Sequence, residues 1–307
     1  MARAPKVTWK RVNEAMASGM GTGFGESYKP VLEIKRWNPS PMSVQVLKAL
    51  PRFKRECHFF SHSEWYLGLL FSWVGAHIRE QFPLWPWQHS HPEYSRHPEM
   101  DSILPKSVGM KEICRDAGIE HGTFVGTNIP YIWSMDLCAH MPWVSDLKNA
   151  TCLISVKPLT AEQYLYVDPL HRGTEKLECE RRYANQLGIN YFIGDRSLYP
   201  GPIFTQLELL ADAAMLPTNH PWSYTLHSFL DHYGDAAQNE PLQNIRERLI
   251  TDYNCSPAQA SFIKNHILWN QLVDCDLSVD LKESQPPKKG GLALMQAIRN
   301  SMEGIAR

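Results

Sequence analysis

The sequence predicts an α/β protein in which a mixed sheet is flanked by helices and followed by a helical region. Two stretches, residues 131–138 and 151–158, are rich in aromatic and β-branched residues and have the composition of neighbouring strands. Apolar residues recur at helical spacing on both sides of these stretches, and from about Ile203 onward the pattern is helical. A chain of 307 residues is long enough for two domains with sizeable cores.

The two predicted strands each carry one charged residue among apolar neighbours. Asp136 lies in the first strand, and Lys157 lies near the end of the second. An Asp and a Lys near the ends of adjacent buried strands can bind a divalent metal ion and orient a water molecule. The alternative is that the two side chains form a buried salt bridge.

A helix is predicted to begin at Ser61, upstream of these strands. Leu67, Leu70 and Phe71 follow at helical spacing, and Glu64 falls on the same apolar stripe. A carboxylate that faces the core is costly unless it is paired or bound to a metal. The alternative is a capping box, in which Glu64 accepts a hydrogen bond from the Ser61 backbone N–H.

A second helix is predicted downstream of the strands, over residues 174–187, and Gly188 ends it. Its apolar stripe includes Leu177 and Ala184, and Glu180 lies on that stripe. A second core-facing carboxylate is therefore expected near the two charged strand residues.

The first 55 residues are basic, whereas the rest of the chain is acidic. They hold 11 Lys and Arg against three Glu, a net charge of +8, and the remaining residues carry −9. Such a basic arm is suited to contacts with DNA phosphates, and Arg52, Lys54 and Arg55 could follow the DNA backbone. The alternative is a solvated terminus with no partner.

The composition is that of a globular protein, with 43% hydrophobic and 21% charged residues. No apolar run approaches the ~20 residues of a membrane span, and the N-terminus lacks a secretory apolar region. Seven Cys, an odd number without a C-x-x-C pair, favour reduced thiols. We therefore expect a cytoplasmic protein without membrane contacts.

Six motifs occur in the same order as in a known family. They are Gly19–Gly25, Ser61–Glu64, Ile78–Leu84, Ser134–Asp136, Val156–Pro158 and Leu177–Tyr183. As a set they resemble the TnsA family, the endonuclease subunits of Tn-seven-like heteromeric transposases. The resemblance runs from about Gly19 to Phe192, and no single motif would carry it.

The resemblance implies a restriction-endonuclease-like core that cleaves DNA with Mg²⁺ or Mn²⁺. Glu64, Asp136 and Lys157 match the nuclease residues of the family, and Glu180 matches a further active-site carboxylate. The implied metal ligands are Glu64, Asp136 and the Val156 carbonyl, with Glu180 at a second ion. Oxygen ligands of this kind suit Mg²⁺ or Mn²⁺ rather than zinc.

The resemblance also implies partners and a place in transposition. An integrase-type subunit (TnsB-like) cuts and joins the 3′ ends, this protein nicks the 5′ strands at transposon-end DNA, and an AAA+ ATPase (TnsC-like) regulates the complex. Loss of the 5′ cut alone is expected to leave 3′ joining in place and to give cointegrates.

One residue departs from the family pattern. The residue two before the lysine is often Glu or Gln in such nucleases, and here it is Ser155, a weaker ligand with one hydroxyl. Ser155 is the feature that favours a non-catalytic adaptor between the ATPase and the integrase subunit. A stand-alone restriction or junction-resolving nuclease is the other alternative.

Residues 85–118 have the appearance of a long insertion. The segment contains three histidines and a cysteine that suggest zinc, His89, His91, His97 and Cys114. Their spacing matches no standard zinc pattern, so a surface loop is the favoured interpretation.

We expect a nuclease domain over residues 1–202, an all-helical or winged-helix domain over 203–282, and a linker with an amphipathic tail over 283–307. Alternation over 277–281 predicts a strand and favours the winged helix. The tail, with its apolar residues at helical spacing, is a candidate for docking in a partner's groove. The alternative is that the tail packs on its own chain.

Overall fold

The computed structural model describes residues 7–35, 44–157 and 172–304. Some residues of the predictions lie outside these ranges: Arg3, Lys6 and Arg36 of the basic arm, Pro158 and Ile305.

A mixed four-stranded sheet forms the centre of the molecule. The strands are β1 (Val46–Lys48), β2 (Cys57–Phe59), β3 (His77–Leu84), β4 (Trp133–His140), β5 (Thr151–Val156) and β6 (Asn190–Gly194). Strands β1 and β2 form a separate antiparallel pair, and the main sheet has the order β3-β4-β5-β6. Its first two pairings are antiparallel, and β5 pairs with β6 in parallel. The predicted α/β class with a mixed sheet is confirmed.

The helices cover both faces of this sheet and form most of the chain beyond it. Their bounds are Trp9–Ala17, His62–Trp73, Met110–Asp116, Arg172–Leu187, Gly201–Leu210, Pro221–Ala237, Leu242–Thr251, Pro257–Trp269 and Gly291–Met302. We call His62–Trp73 the Glu64 helix and Arg172–Leu187 the Glu180 helix.

The Glu64 helix and the Glu180 helix pack on opposite faces of the sheet. Successive residues of a strand point to opposite faces, and in β5 Ile154 packs in the cluster of the Glu64 helix, whereas Leu153 packs in the cluster of the Glu180 helix. Every residue of β5 is buried for this reason. The sheet therefore separates the two carboxylates that the sequence placed together.

Pro83 lies within β3, where it pairs with Ser134, and the strand continues to Leu84. A proline has no N–H to donate, which a strand tolerates at the edge of a sheet. β3 is an edge strand with β4 as its partner in the main sheet. The edge position of β3 therefore explains why this strand accommodates a proline.

The helices after residue 200 share a core with the Glu64 helix. One apolar cluster contains Leu70 of the Glu64 helix together with Ile263 and Ile298 of the later helices. The indole N–H of Trp73 donates to the backbone carbonyl of Trp269 at 2.9 Å. The predicted boundary at residue 202 therefore does not coincide with a break in the hydrophobic core.

Residues 277–281 do not form a strand, so the described C-terminal residues 201–304 contain no wing. The side-chain amide of Gln206 donates to the carbonyls of Leu277 and Val279, which would otherwise need a neighbouring strand. The alternation in this segment arises because an irregular loop packs its apolar residues across helices. The all-helical form of the C-terminal prediction is the one observed, and the winged helix is corrected.

The amphipathic tail packs on its own chain. Ile298 and Met302 are buried, and Arg299 donates to the backbone carbonyl of Val74 at 2.8 Å while lying over the Trp143 ring. Of the two alternatives for the tail, internal packing is therefore observed. Its main apolar face is covered, which leaves little of that face for a partner's groove.

The predicted linker is also tied to the fold. The backbone N–H of Leu242 donates to the carbonyl of Gln285 at 3.1 Å, and Glu283 pairs with the ammonium group of Lys264. The cation of Lys264 is thus engaged within the chain.

Candidate active site

Glu64 lies in the first turn of the Glu64 helix and is held by several hydrogen bonds. Its backbone N–H donates to the Ser61 hydroxyl at 3.1 Å, which makes Ser61 the N-cap. Its carboxylate accepts from the Ser61 hydroxyl at 3.0 Å and from the Phe60 backbone N–H at 2.9 Å. The predicted capping role is observed, although the backbone donor is Phe60 and not Ser61.

Gln81 of β3 is a second partner of Glu64 that sequence reasoning missed. Its side-chain amide donates to Glu64 Oε2 at 3.0 Å, and its amide oxygen accepts from the Ser134 hydroxyl at 3.1 Å. Gln81 has a φ of 47°, in the left-handed region that non-glycine residues seldom occupy. The available signal was the polar run Arg79 to Gln81 inside a buried strand, because buried polar groups require partners.

Asp136 and Lys157 form the ion pair that the sequence left open as an alternative. Asp136 Oδ2 accepts from Lys157 Nζ at 2.8 Å and from the Val156 backbone N–H at 2.7 Å. Lys157 Nζ also donates to the Val156 carbonyl at 2.9 Å. The lysine therefore bridges two oxygens that were predicted to be metal ligands.

Glu64 and Asp136 influence each other electrostatically. Burial first, and then the charge of Asp136, raise the pKa of Glu64 to about 7. Burial acts in the same direction on Asp136, but Lys157 and Lys176 outweigh it and hold the pKa of Asp136 below its ordinary value. Close to neutral pH the site thus holds one charged carboxylate and a second that is only partly charged.

Glu180 is buried on the other side of the sheet and has partners of its own. Its carboxylate accepts from the Ser155 hydroxyl, from the Tyr191 hydroxyl at 3.2 Å, and pairs with Lys176 at 3.3 Å. Among the described residues, no three His, Cys, Asp or Glu side chains converge to hold a metal ion. Glu180 therefore has hydrogen-bond partners of its own, and its role as a further active-site carboxylate stays a prediction.

Ser155 has a role that its position in the sequence did not show. It alternates with Val156, so its hydroxyl points toward the Glu180 helix, where it donates to Glu180. Ser155 is thus a partner of the buried carboxylate Glu180.

Lys176 is a second cation near the site that sequence reasoning missed. Its ammonium group donates to the Ser134 carbonyl at 3.1 Å and pairs with Glu180 four residues later on the same helix. Burial lowers the pKa of Lys176, but Glu180 and Asp136 outweigh it and raise that pKa. The ammonium group of Lys176 therefore interacts electrostatically with both Glu180 and Asp136.

The donor atoms around Asp136 fit a magnesium or manganese ion. Glu64, Asp136 and the Val156 carbonyl supply only oxygens, the ligand type that these ions prefer. Mg²⁺ commonly uses one or two carboxylates and keeps several waters, so a third carboxylate is not required. Burial and the charge of Asp136 raise the pKa of Glu64, and a cation bound between the two carboxylates would oppose both effects.

The three predicted DNA-contacting residues separate into two groups. Arg55 makes a bidentate ion pair with Glu80, with N–O distances of 2.7 and 2.6 Å. Glu80 is fully buried, so the Arg55 guanidinium compensates a buried charge, and its contact with DNA stays a prediction. Arg52 and Lys54 are exposed and stay predicted contacts.

The histidines of the 85–118 segment do not converge. His89 bonds the Tyr183 hydroxyl at 2.9 Å, His91 caps a short helix, and His97 pairs with Glu99. The segment is not simply a surface loop, because Glu93 within it is buried against the sheet.

None of the helices in the described ranges is long and apolar enough to cross a membrane.

The described site is that of an α/β protein in which an Asp–Lys ion pair at neighbouring strands lies near a glutamate from a flanking helix. No protein-family model matches the sequence. The chain is 28% identical over 196 residues to the Transposon Tn7 transposition protein TnsA of Escherichia coli. The matched part covers 62% of this chain and 58% of that protein, so it spans less than two thirds of its relative. The resemblance to TnsA that the motifs predicted is confirmed.

Proposed function

We propose that this chain is a metal-dependent DNA endonuclease with a restriction-endonuclease-like core. In this proposal it nicks the 5′ strands at transposon ends as one subunit of a transposase. The observation that carries the proposal is the grouping of Glu64 in the first turn of its helix, Asp136 within β4 and Lys157 directly after β5. The similarity to a transposition protein supports the biological context.

Glu64, Asp136 and the Val156 carbonyl would hold a Mg²⁺ or Mn²⁺ ion. When bound, the ion stabilises negative charge on the phosphate and lowers the pKa of a water molecule. Gln81 keeps the Glu64 carboxylate in place through its amide. Glu180 acts in this proposal as a positioning residue that orients Lys176, and not as a ligand of the same ion.

Lys157 is the residue we assign to the phosphate or the attacking water. Its ammonium group lies between Asp136 Oδ2 and the Val156 carbonyl, close to the proposed ligands. A cation in this position stabilises charge that develops on the phosphate oxygens as the bond breaks. Because Lys157 is partly exposed, the group can reach a bound strand.

The partners in this proposal are transposon-end DNA, an integrase-type transposase (TnsB-like) and an AAA+ ATPase (TnsC-like). The exposed cations Arg52 and Lys54 support DNA backbone contacts. Much of the remaining chain is acidic, so we expect the isolated protein to find transposon ends poorly.

The test is Asp136→Ala in the assembled transposase with Mg²⁺. We expect the 5′ nick to be lost while 3′ joining continues, which converts simple insertions into cointegrates. Asp231→Ala, an exposed aspartate on the helix Pro221–Ala237, is the matched control and should nick normally. Normal 5′ nicking by Asp136→Ala would exclude the site.

The two alternatives make different predictions. A non-catalytic adaptor was favoured by Ser155, but the Ser155 hydroxyl serves Glu180, so this residue no longer argues for a lost site. An adaptor would support transposition equally well with Asp136→Ala. A stand-alone nuclease would cut transposon-end DNA efficiently without any partner.

A further inference from the structure

A cavity of about 240 Å³ opens beside the candidate active site. It is bordered by Ser134, two residues before Asp136, and by Lys176. Tyr131 and Trp133 form its aromatic walls. Pockets for drug-sized ligands usually enclose about 300–1,000 Å³, so this cavity suits one part of a larger ligand. A strand of DNA bound at Asp136 could place a single base there.

The aromatic walls are held in place by neighbouring rings. Trp133 stacks on His121 at 5.6 Å between ring centroids, with an angle of 12° between the planes. Tyr131 packs against Phe124 at 4.9 Å and stays 38% exposed. Supported aromatic faces that stay open to solvent are the surfaces on which unpaired bases stack.

The charges around the cavity are divided in a way that fits one nucleotide. Lys176 lies at the border toward Asp136, where the phosphate of a bound strand would run. Glu120, Glu175 and Arg172 also line the cavity. Arg172 pairs with Glu175 at 2.7 Å, so its charge is engaged, and Glu120 would repel a phosphate placed inside the cavity. Carboxylates do, however, accept hydrogen bonds from the amino groups of bases. The charges thus favour a base inside and its phosphate near Lys176.

An exposed apolar residue projects from the loop that leads into β4. The loop is closed by backbone hydrogen bonds from Phe124 to Ile129 at 2.9 Å and from Tyr131 to Gly122 at 3.0 Å. Val125 at its tip is fully exposed and is followed by Gly126, whose φ of 71° makes the turn. Apolar side chains in such positions can enter between base pairs and unstack them.

We propose that the cavity holds one unpaired nucleotide of the strand to be cut and that Val125 separates the base step beside it. This inference rests on the proposed DNA-nicking function. An unpaired nucleotide next to the scissile phosphate would turn that phosphate toward Asp136 and Lys157. The protein would accordingly favour distorted or frayed DNA over a regular duplex.

The first test is photo-crosslinking of the full chain with Asp136→Ala to a single-stranded deoxyoligonucleotide that contains 5-iododeoxyuridine. We expect adducts at Tyr131 or Trp133, identified by mass spectrometry of the peptides. Adducts only at exposed aromatic residues elsewhere, such as Tyr224, or no adduct at all, would overturn the proposal.

The second test measures affinity for the same oligonucleotide. Tyr131→Ala should weaken binding about tenfold, because base stacking on one aromatic side chain contributes that order of affinity. Tyr224→Ala, a tyrosine that is 81% exposed on another helix, is the matched control and should bind normally. Equal binding by Tyr131→Ala and the wild-type protein would contradict the cavity assignment.

The third test separates the wedge from the cavity. Val125→Asp should reduce nicking of duplex DNA about tenfold and leave affinity for the single strand unchanged, because a strand that is already unpaired needs no wedge. Val44→Asp, at an exposed valine elsewhere, is the control. If Val125→Asp nicks duplex DNA as well as the control, the wedge is excluded. Adducts at Tyr131 combined with normal nicking by Asp136→Ala would instead refute the proposed function alone.

Discussion

Glu64 and Glu180 were predicted for one site on the same grounds, and the structure gives them different surroundings. Each lies on the apolar stripe of a helix that packs on the sheet, and both are buried. Glu64 receives hydrogen bonds from neutral donors, and burial together with the nearby charge of Asp136 raises its pKa to about 7. Glu180 has two hydroxyl donors and the cation of Lys176. Burial alone therefore does not distinguish the two glutamates. Their hydrogen-bond and ion-pair partners indicate the different roles we propose for them.

The largest expected effect concerns Glu64 itself. Glu64→Gln keeps the shape of the side chain but removes its charge, so Mg²⁺-dependent nicking should fall about 10³-fold or more. Glu180→Gln should lower nicking about tenfold at most, because it changes only the position of Lys176. Both rates can be measured on transposon-end DNA with the complete transposase. Equal losses in the two variants would remove the distinction between the two carboxylates.

A buried carboxylate should destabilise the folded state once the cation that pairs with it is removed. The Arg55–Glu80 ion pair provides the test. Arg55→Ala leaves Glu80 buried without its ion-pair partner, which should lower the free energy of unfolding by about 3–5 kcal/mol. Lys54→Ala, at the exposed neighbour, should change it by about 0.5 kcal/mol or less. Urea denaturation of both variants is the measurement. A similar small effect in both would show that Glu80 does not depend on Arg55.

The raised pKa of Glu64 predicts a specific pH dependence of stability. The folded protein retains the Glu64 proton up to about pH 7, whereas the unfolded chain loses it near 4.5. Between these values the folded state binds more protons, so this group makes the free energy of unfolding fall as the pH rises. Glu64→Gln should abolish this contribution, and Mg²⁺ should oppose it in the wild-type protein.

The measurement is the free energy of unfolding against pH for the wild-type protein and for Glu64→Gln. Glu180→Gln serves as the comparison and should keep the pH-dependent decline that Glu64 causes. An unchanged pH profile in Glu64→Gln would show that Glu64 is charged throughout this range.

The smallest effect concerns DNA binding by the exposed cations. Replacing both Arg52 and Lys54 by Ala should reduce the slope of log affinity against log salt by about 2, because two phosphate contacts are lost. Arg55 is left unchanged because it pairs with Glu80. Titrations of duplex DNA at several salt concentrations give the slope. An identical slope in the double variant would place these residues away from DNA.

The sequence was sufficient for the features that depend on local pattern. Alternation and β-branched composition predicted β4 and β5, and neighbouring strands bring Asp136 next to Lys157. The apolar stripes also correctly indicated that Glu64 and Glu180 are buried. Periodicity is a property of a short segment, so these inferences required no knowledge of the rest of the chain.

The remaining features depend on contacts between distant segments. The left-handed backbone of Gln81 and its bond to Glu64 arise from packing between β3 and the Glu64 helix. The hydrogen bonds of Glu180 to Ser155 and Tyr191 follow from which face of the sheet its helix covers. Charge alone likewise could not show that Arg55 is paired with Glu80. Each of these features depends on residues that are distant in the sequence, so a local sequence pattern could not predict it.

The central claim is that Glu64 and Asp136 hold the ion and Glu180 does not. Its most direct test is the affinity of the full chain for Mn²⁺, measured by electron paramagnetic resonance without DNA. We expect Glu64→Gln to weaken Mn²⁺ binding at least about tenfold, because one of two carboxylate ligands loses its charge. Glu180→Gln should bind Mn²⁺ within about twofold of the wild-type protein. A loss of Mn²⁺ affinity in Glu180→Gln as large as that in Glu64→Gln would contradict the account.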